Sequence, residues 1–203
     1  MTKIKICGIK ELEHAMCAVD AGADYLGFVF AKSKRQITVT KAKEIIDRLP
    51  KHIKTVGVFV DEPLSNMVEI ANTCGLDILQ LHGSETYDLY KDSSYPVIKS
   101  VSVKTSGINT ELGLPKADYL LFDTWHKDMA GGCGNPFNWD YLKNHTFDSP
   151  YFLAGGLNKD NVATAIRQLK PFAVDVSSGV ETNNRKDNDK IISFIKCVKE
   201  CQQ

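Results

Sequence analysis

The chain has 203 residues, 43% of them hydrophobic, which is enough to build one domain around a sizeable core. Its 25 basic residues balance its 25 acidic ones, so the basic surplus that a nucleic-acid partner requires is missing. No apolar run approaches the length of a bilayer span, and the first residues hold neither an h-region nor a small-residue cleavage site. The expectation is a cytoplasmic protein with no membrane partner.

Apolar, β-rich runs recur along the whole chain. The first, at 4–7, ends on Cys7. Leu12, Ala15, Met16 and Val19 then fall at i, i+3, i+4 and i+7, the spacing of one helical face, and Gly22 suits the left-handed stop of that helix. A run at 25–30 leads to Ser33, Lys34 and Arg35, and to a helical stripe of Ala42, Ile45, Ile46 and Leu49. The run at 55–60 precedes Pro63, placed to open a helix whose face is Leu64, Met67, Val68 and Ala71 and whose end is marked by Gly75. Runs at 78–81, 97–101 and 119–122 follow, the fourth ending beside His82 and the sixth beside Asp123. The seventh, 151–153, leads into Gly155 and Gly156, an N-cap candidate at Asn158, and the stripe Val162, Ala165, Ile166 and Leu169. The eighth, 172–176, leads into Ser177, Ser178 and Gly179, with Ile191, Phe194, Ile195 and Val198 closing the pattern.

Continuous rather than alternating strands are what a parallel sheet covered on both faces requires. Eight strand–helix units favour an α/β protein with a closed (β/α)8 TIM barrel, a single domain over 1–203, against an open doubly wound sheet with two edges to protect. Two segments read poorly as helices. They are 105–116, with two glycines and a proline, and 127–136, with three glycines, so one or two helices are expected to be shortened or replaced by loop.

In such a barrel the carboxyl ends of the strands converge on one face, where active sites are built. Every chemically capable group named above lies at such an end. Two glycine-containing turns after strands seven and eight suit a phosphate, because glycine lets backbone N–H groups approach an anion. Each turn alone is equally a tight βα connection. Cys7 is either a buried structural thiol or a nucleophile or base. Lys5 points the same way, as a structural charge or as a cation that favours the thiolate. Asp123 caps a loop or donates a proton. Arg35 belongs to a solvated basic loop or grips a carboxylate through its fork. Asp175 orients sugar hydroxyls or stabilises a nearby cation, and His82 is as readily a hydrogen-bonded core histidine. The six cysteines, at 7, 17, 74, 133, 197 and 201, match neither a zinc site nor a disulfide framework.

Taken together and in chain order, these segments resemble the phosphoribosylanthranilate isomerase family of tryptophan biosynthesis. The resemblance is carried by Lys5-Ile6-Cys7-Gly8-Ile9, Gly27-Phe28-Val29-Phe30 with Ser33-Lys34-Arg35, and Gly57-Val58-Phe59-Val60. It continues through Gln80-Leu81-His82-Gly83, Asp123-Thr124 and Gly131-Gly132-Cys133-Gly134 with Phe137 and Trp139. Leu153-Ala154-Gly155-Gly156-Leu157 and the stretch from Val174 to Glu181 complete it. It implies an Amadori rearrangement of N-(5-phosphoribosyl)anthranilate without metal or organic cofactor, by a monomer or homodimer. It implies Cys7 as general base, Asp123 as general acid, and Arg35 at the anthranilate carboxylate. The two glycine-containing turns would lie at the phosphate, and Asp175 near the sugar. Cys133, where a small hydroxyl residue or glycine is usual, and the Trp125-His126 pair depart from the pattern. Another sugar-phosphate isomerase or epimerase, or a non-catalytic phosphate-binding barrel, are the competing readings.

Overall fold

The computed structural model describes residues 1–104, 114–124, 137–143 and 145–202. Eight strands form a closed barrel in sequence order: β1 (Lys3–Cys7), β2 (Tyr25–Val29), β3 (Lys54–Phe59), β4 (Ile78–Leu81), β5 (Val97–Val103), β6 (Tyr119–Thr124), β7 (Tyr151–Leu153) and β8 (Ala173–Val176). All neighbours are parallel, and β1 closes the ring by pairing with both β2 and β8. The sequence's preference for a barrel over an open sheet is therefore met, and no strand of the ring is left as an edge.

The helices that the apolar spacing placed are present: α1 (Leu12–Ala21), α2 (Val39–Ile46), α3 (Leu64–Cys74), α6 (Val162–Leu169) and α7 (Asn188–Glu200). Two more are single turns, α4 (Tyr87–Tyr90) and α5 (Asp140–Lys143). The shortened helices thus follow β4 and β6. The segments expected to lack a helix lie largely outside the described residues, although 114–118 carries none. Gly22 and Gly75 end α1 and α3 in the left-handed conformation, as their positions predict. Pro63 sits one position earlier than expected, as the residue before the first helical turn, and its carbonyl accepts from the Asn66 and Met67 N–H groups. Asn158 is not the N-cap of α6; Asn161 holds that place. Asn158 instead builds the turn before it, accepting from the Asp160 N–H while its own N–H donates to the Asn161 side chain.

The core has two compartments. The larger lies between the barrel and its helices and includes Ile6, Phe28, Phe59, Leu79, Phe122 and Phe194. The smaller consists of strand residues of opposite alternation: Tyr25, Val56, Ile78, Ile98, Leu121, Phe152 and Ala173. These fill the barrel interior, where Phe152 packs edge-on against Tyr25 and Tyr119. Two residues further along the same strands, the inward positions become Val58, Gln80, Asp123, Ala154 and Asp175. The apolar layer is the floor on which the polar side chains of Gln80, Asp123 and Asp175 stand.

An element the sequence reading missed follows β8. A 3-10 turn (Ser178–Val180) leads into a hairpin of β9 (Glu181–Thr182) and β10 (Arg185–Lys186). Asn183 and Asn184 form its two-residue turn with φ of 52° and 61°, the left-handed pair that the tightest hairpins require. Among the described residues, no helix is long and apolar enough to cross a membrane.

Candidate active site

At the carboxyl ends of the strands lies a cavity of about 460 Å3. Cys7, Arg35, Asp123, Gly155, Gly156, Asp175, Ser177 and Ser178 all line it, so residues drawn from β1, β6, β8 and three loops meet in one space. Its remaining walls are mainly apolar, with Val29, Val58, Ala154 and Leu157 among them. Gly179 is the exception to the sequence reading and does not line the cavity. A side chain there would collide with the Leu157 carbonyl, so this glycine lets the turns after β7 and β8 pack backbone to backbone. Trp125, His126 and Cys133 lie outside the described residues.

Cys7 ends β1 opposite Gly27 of β2. A Cβ at Gly27 would stand 2.9 Å from the Cys7 sulfur and 3.2 Å from Lys5 Nζ, so the missing side chain is what gives thiol and ammonium their shared space. Lys5 is fully buried and its Nζ lies 2.9 Å from Asp175 Oδ1. Burial pushes the Cys7 thiol up, against the pull of the Lys5 charge; the Asp175 carboxylate adds to the rise, and Lys186 opposes it. The Lys5 ammonium is lowered by burial but raised overall, because Asp175 and Cys7 both favour its charged form.

Across the cavity, Asp123 Oδ1 accepts from the Thr124 N–H at 2.8 Å. His82 Nε2 lies 3.3 Å from Asp123 Oδ2, and His82 Nδ1 lies 3.2 Å from Gln80 Nε2. A neutral imidazole carrying its proton on Nε2 satisfies both contacts, donating to Asp123 and accepting from Gln80. His82, which the sequence left between a core role and a functional one, is thus part of the cavity wall and fixes the carboxyl group. Gln80 Oε1 is buried at this wall with no hydrogen-bond partner among the described residues.

Arg35 does grip a carboxylate, but one belonging to the protein. Its Nε and Nη2 lie 2.7 and 2.9 Å from the two oxygens of Glu181, a bidentate pair. The Glu181 side chain also receives Lys186 Nζ at 2.7 Å, and that ammonium donates to the Ser177 carbonyl at 2.9 Å. Burial opposes the Glu181 carboxylate, but the Arg35 hydrogen bonds and Lys186 outweigh it and hold the group down at about 2. Burial lowers the Lys186 ammonium, with Glu181 opposing. The β9–β10 hairpin therefore ties the Arg35 loop to the Ser177 loop. Glu181 and Lys186 received no role from the sequence. The Asn183-Asn184 turn signal would have folded the hairpin back, but nothing local reveals that Lys186 is buried.

Gly155 and Gly156 turn with φ of 81° and 70°, conformations that the absence of a Cβ permits. After β8 the chain enters only a 3-10 turn, so backbone amides rather than a long helix dipole are what this loop offers an anion. The two turns stand side by side at the rim, with Ser177 Oγ fixed 3.1 Å from the Cys7 carbonyl. Among the described residues, no group of three or more His, Cys, Asp or Glu side chains is placed to hold a metal ion.

The family described as N-(5'phosphoribosyl)anthranilate (PRA) isomerase matches residues 4–197. An N-(5'-phosphoribosyl)anthranilate isomerase of Streptococcus mutans is 46% identical over 200 residues, covering 98% of this chain and all of its own. The crystal structure of phosphoribosyl anthranilate isomerase from Thermotoga maritima superposes with a TM-score of 0.87 at 38% identity, over 98% of this chain and 100% of that one. A further crystal structure holds the isomerase in complex with reduced 1-(o-carboxyphenylamino)-1-deoxyribulose 5-phosphate. It gives a TM-score of 0.81 at 38% identity, with 98% of this chain and 100% of that one covered. The chain belongs to the N-(5'-phosphoribosyl)anthranilate isomerase family.

Proposed function

We propose that this barrel catalyses the Amadori rearrangement of N-(5-phosphoribosyl)anthranilate to 1-(2-carboxyphenylamino)-1-deoxyribulose 5-phosphate in tryptophan biosynthesis, with Cys7 as general base and Asp123 as general acid. The observation that carries the assignment of roles is the convergence of a thiol, a carboxyl group, an arginine and two glycine-containing turns on one cavity. Asp123 gives its proton to the furanose ring oxygen as the C1–O bond breaks, and the anilino nitrogen closes a protonated Schiff base. That cation acidifies C2–H. Cys7 thiolate removes the proton, the C–H electrons form the enolamine, and tautomerisation yields the aminoketone. Each group of this kind contributes about 10²–10⁴-fold to rate.

Arg35 meets the anthranilate carboxylate with the N–H groups that Glu181 leaves unused, since a guanidinium has five and the pair occupies two. The turns at Gly155-Gly156 and at Ser177-Ser178 hold the phosphate, and Asp175 accepts from a ribose hydroxyl. The enzyme acts on a small molecule in the cytoplasm and needs no bound metal. Loss of the substrate's anthranilate-type fluorescence on adding the purified protein, with a chelator present, tests the activity. Unchanged fluorescence at saturating protein would overturn it. Sedimentation of the same sample separates monomer from homodimer.

A further inference from the structure

Lys5 is a lysine with no water to solvate it. It stands inside the barrel at 0% exposure, below the cavity rather than in its wall. An ammonium placed there is costly unless its charge is matched. Two groups match it. Asp175, in register with Lys5 across the β1–β8 pair, reaches Nζ at 2.9 Å. Cys7, two residues along the same strand, shares with Nζ the hollow left by Gly27. Asp175 and Cys7 both line the cavity, so a ligand touches the two rivals for the charge but not the charge itself.

We propose that Lys5 is the counter-cation of the Cys7 thiolate, and that Asp175 competes with the sulfur for the same ammonium. This rests on the reading of Cys7 as the base. Lys5 Nζ donates to Asp175 at 2.9 Å and also adjoins the Cys7 sulfur, so the two groups share one ammonium, while burial pushes the thiol up. A sugar hydroxyl that donates to Asp175 disperses the carboxylate's charge and leaves Lys5 to the sulfur, whose proton departs to solvent through the cavity mouth. The substrate's own hydroxyl thus readies the base that attacks it. Lys5 acts through Cys7 and touches no reacting atom, which makes it a positioning residue.

Among the described residues, the other charges around Cys7 have partners of their own. Lys186, on β10, is held by Glu181 and the Ser177 carbonyl, and Arg35, in the loop after β2, is held by Glu181. Asp123 and His82 are paired with each other in one wall of the cavity, 3.3 Å apart. Lys5 exerts the largest favourable pull on the thiolate.

The test is the pH dependence of iodoacetamide alkylation at Cys7, followed on its own peptide because five other cysteines are present, together with the pH profiles of kcat and KM. Lys5→Met is expected to move the alkylation midpoint to higher pH, and Asp175→Asn to lower pH. Lys5→Arg is expected to stay near the parent. In Lys5→Met, kcat at neutral pH falls about tenfold for each unit the midpoint moves, recovers as pH is raised, and is accompanied by a smaller change in KM. A purely structural role for Lys5 would not shift the two midpoints in opposite directions. Midpoints that move together, or that do not move, overturn the proposal. If Lys5→Met does not fold, an unmoved midpoint in Asp175→Asn overturns it equally. Wild-type turnover in Cys7→Ser would instead remove the base assignment, and the alkylation profiles would still report on Lys5 alone.

Discussion

Two of the buried lysine–carboxylate pairs, those whose lysines stand on strands of the barrel, are used differently. Lys99 on β5 meets Glu85, beyond β4, at 2.7 Å, and both are nearly inaccessible. Every part of that pair is tied to backbone. Lys99 also donates to the Gly83 carbonyl at 2.7 Å, while Glu85 accepts from the N–H groups of Asp61 and Gly83. The pair lies away from the cavity and stitches the loops after β3 and β4 to β5. Lys5 and Asp175 have the same chemistry and similar burial, but their neighbours are a thiol and the open site. A buried charge saturated by backbone holds a shape. A buried charge whose partners face a ligand can be redistributed when the ligand arrives.

The comparison is broken most directly on the cavity side. Asp123→Asn and Cys7→Ser are each expected to lower kcat about 10²–10⁴-fold while substrate binding and thermal stability hold, in steady-state kinetics and calorimetry. Near-normal turnover in either variant ends that residue's assignment. On the other side, Lys99→Met strands the Glu85 carboxylate and is expected to cost about 3–5 kcal/mol of stability, read by denaturant unfolding, with kcat of the folded fraction unchanged. Adding Glu85→Leu should not restore the loss, because the Asp61 and Gly83 amides then lose their acceptor. A fully restored double variant would show that the pair is dispensable to the loops.

Arg35→Ala is expected to raise KM about 10- to 100-fold with a smaller change in kcat, since a hydrogen bond to a charged group is worth about 1.5–3 kcal/mol. An unchanged KM would take Arg35 out of substrate recognition. The smallest effect is expected from Glu181. Its carboxylate is held at about 2 in the folded chain against an ordinary value of 4.5. Its contribution is therefore complete above pH 4.5 and lost as pH falls towards 2. Glu181→Gln should flatten that part of the stability–pH curve, and an unaltered slope there would contradict the coupling to Arg35 and Lys186.

Much of this was legible in the sequence because it is written in periodicity. The strands are continuous apolar runs, and α1, α2, α3, α6 and α7 each carry a full helical stripe. Cys7, Asp123 and Asp175 were legible because a strand end fixes both position and direction. What escaped was set by tertiary contact. α4 is a single turn, too short to repeat a pattern. Asn158 and Asn161 are both capable caps, and only the turn between them decides. Lys186 reads as a solvated lysine beside a polar turn until the hairpin folds it under the Ser177 loop. Arg35, expected as a fork for a carboxylate, pairs with Glu181, 146 residues away, a partner no local pattern indicates. Gly179 suited the anion-binding motif but serves the contact between loops.

Gly155 sits against the end of β6. A Cβ there would come within 2.7 Å of the Thr124 nitrogen and 3.1 Å of Asp123 Oδ1. The turn assigned to the far, unreactive end of the substrate is thus in touch with the group assigned to its ring oxygen. Tightening that turn around a dianion would brace the carboxyl group at the moment of ring opening. A dephosphorylated analogue should therefore be a sluggish substrate even at saturation, with inorganic phosphite added in trans restoring part of its turnover.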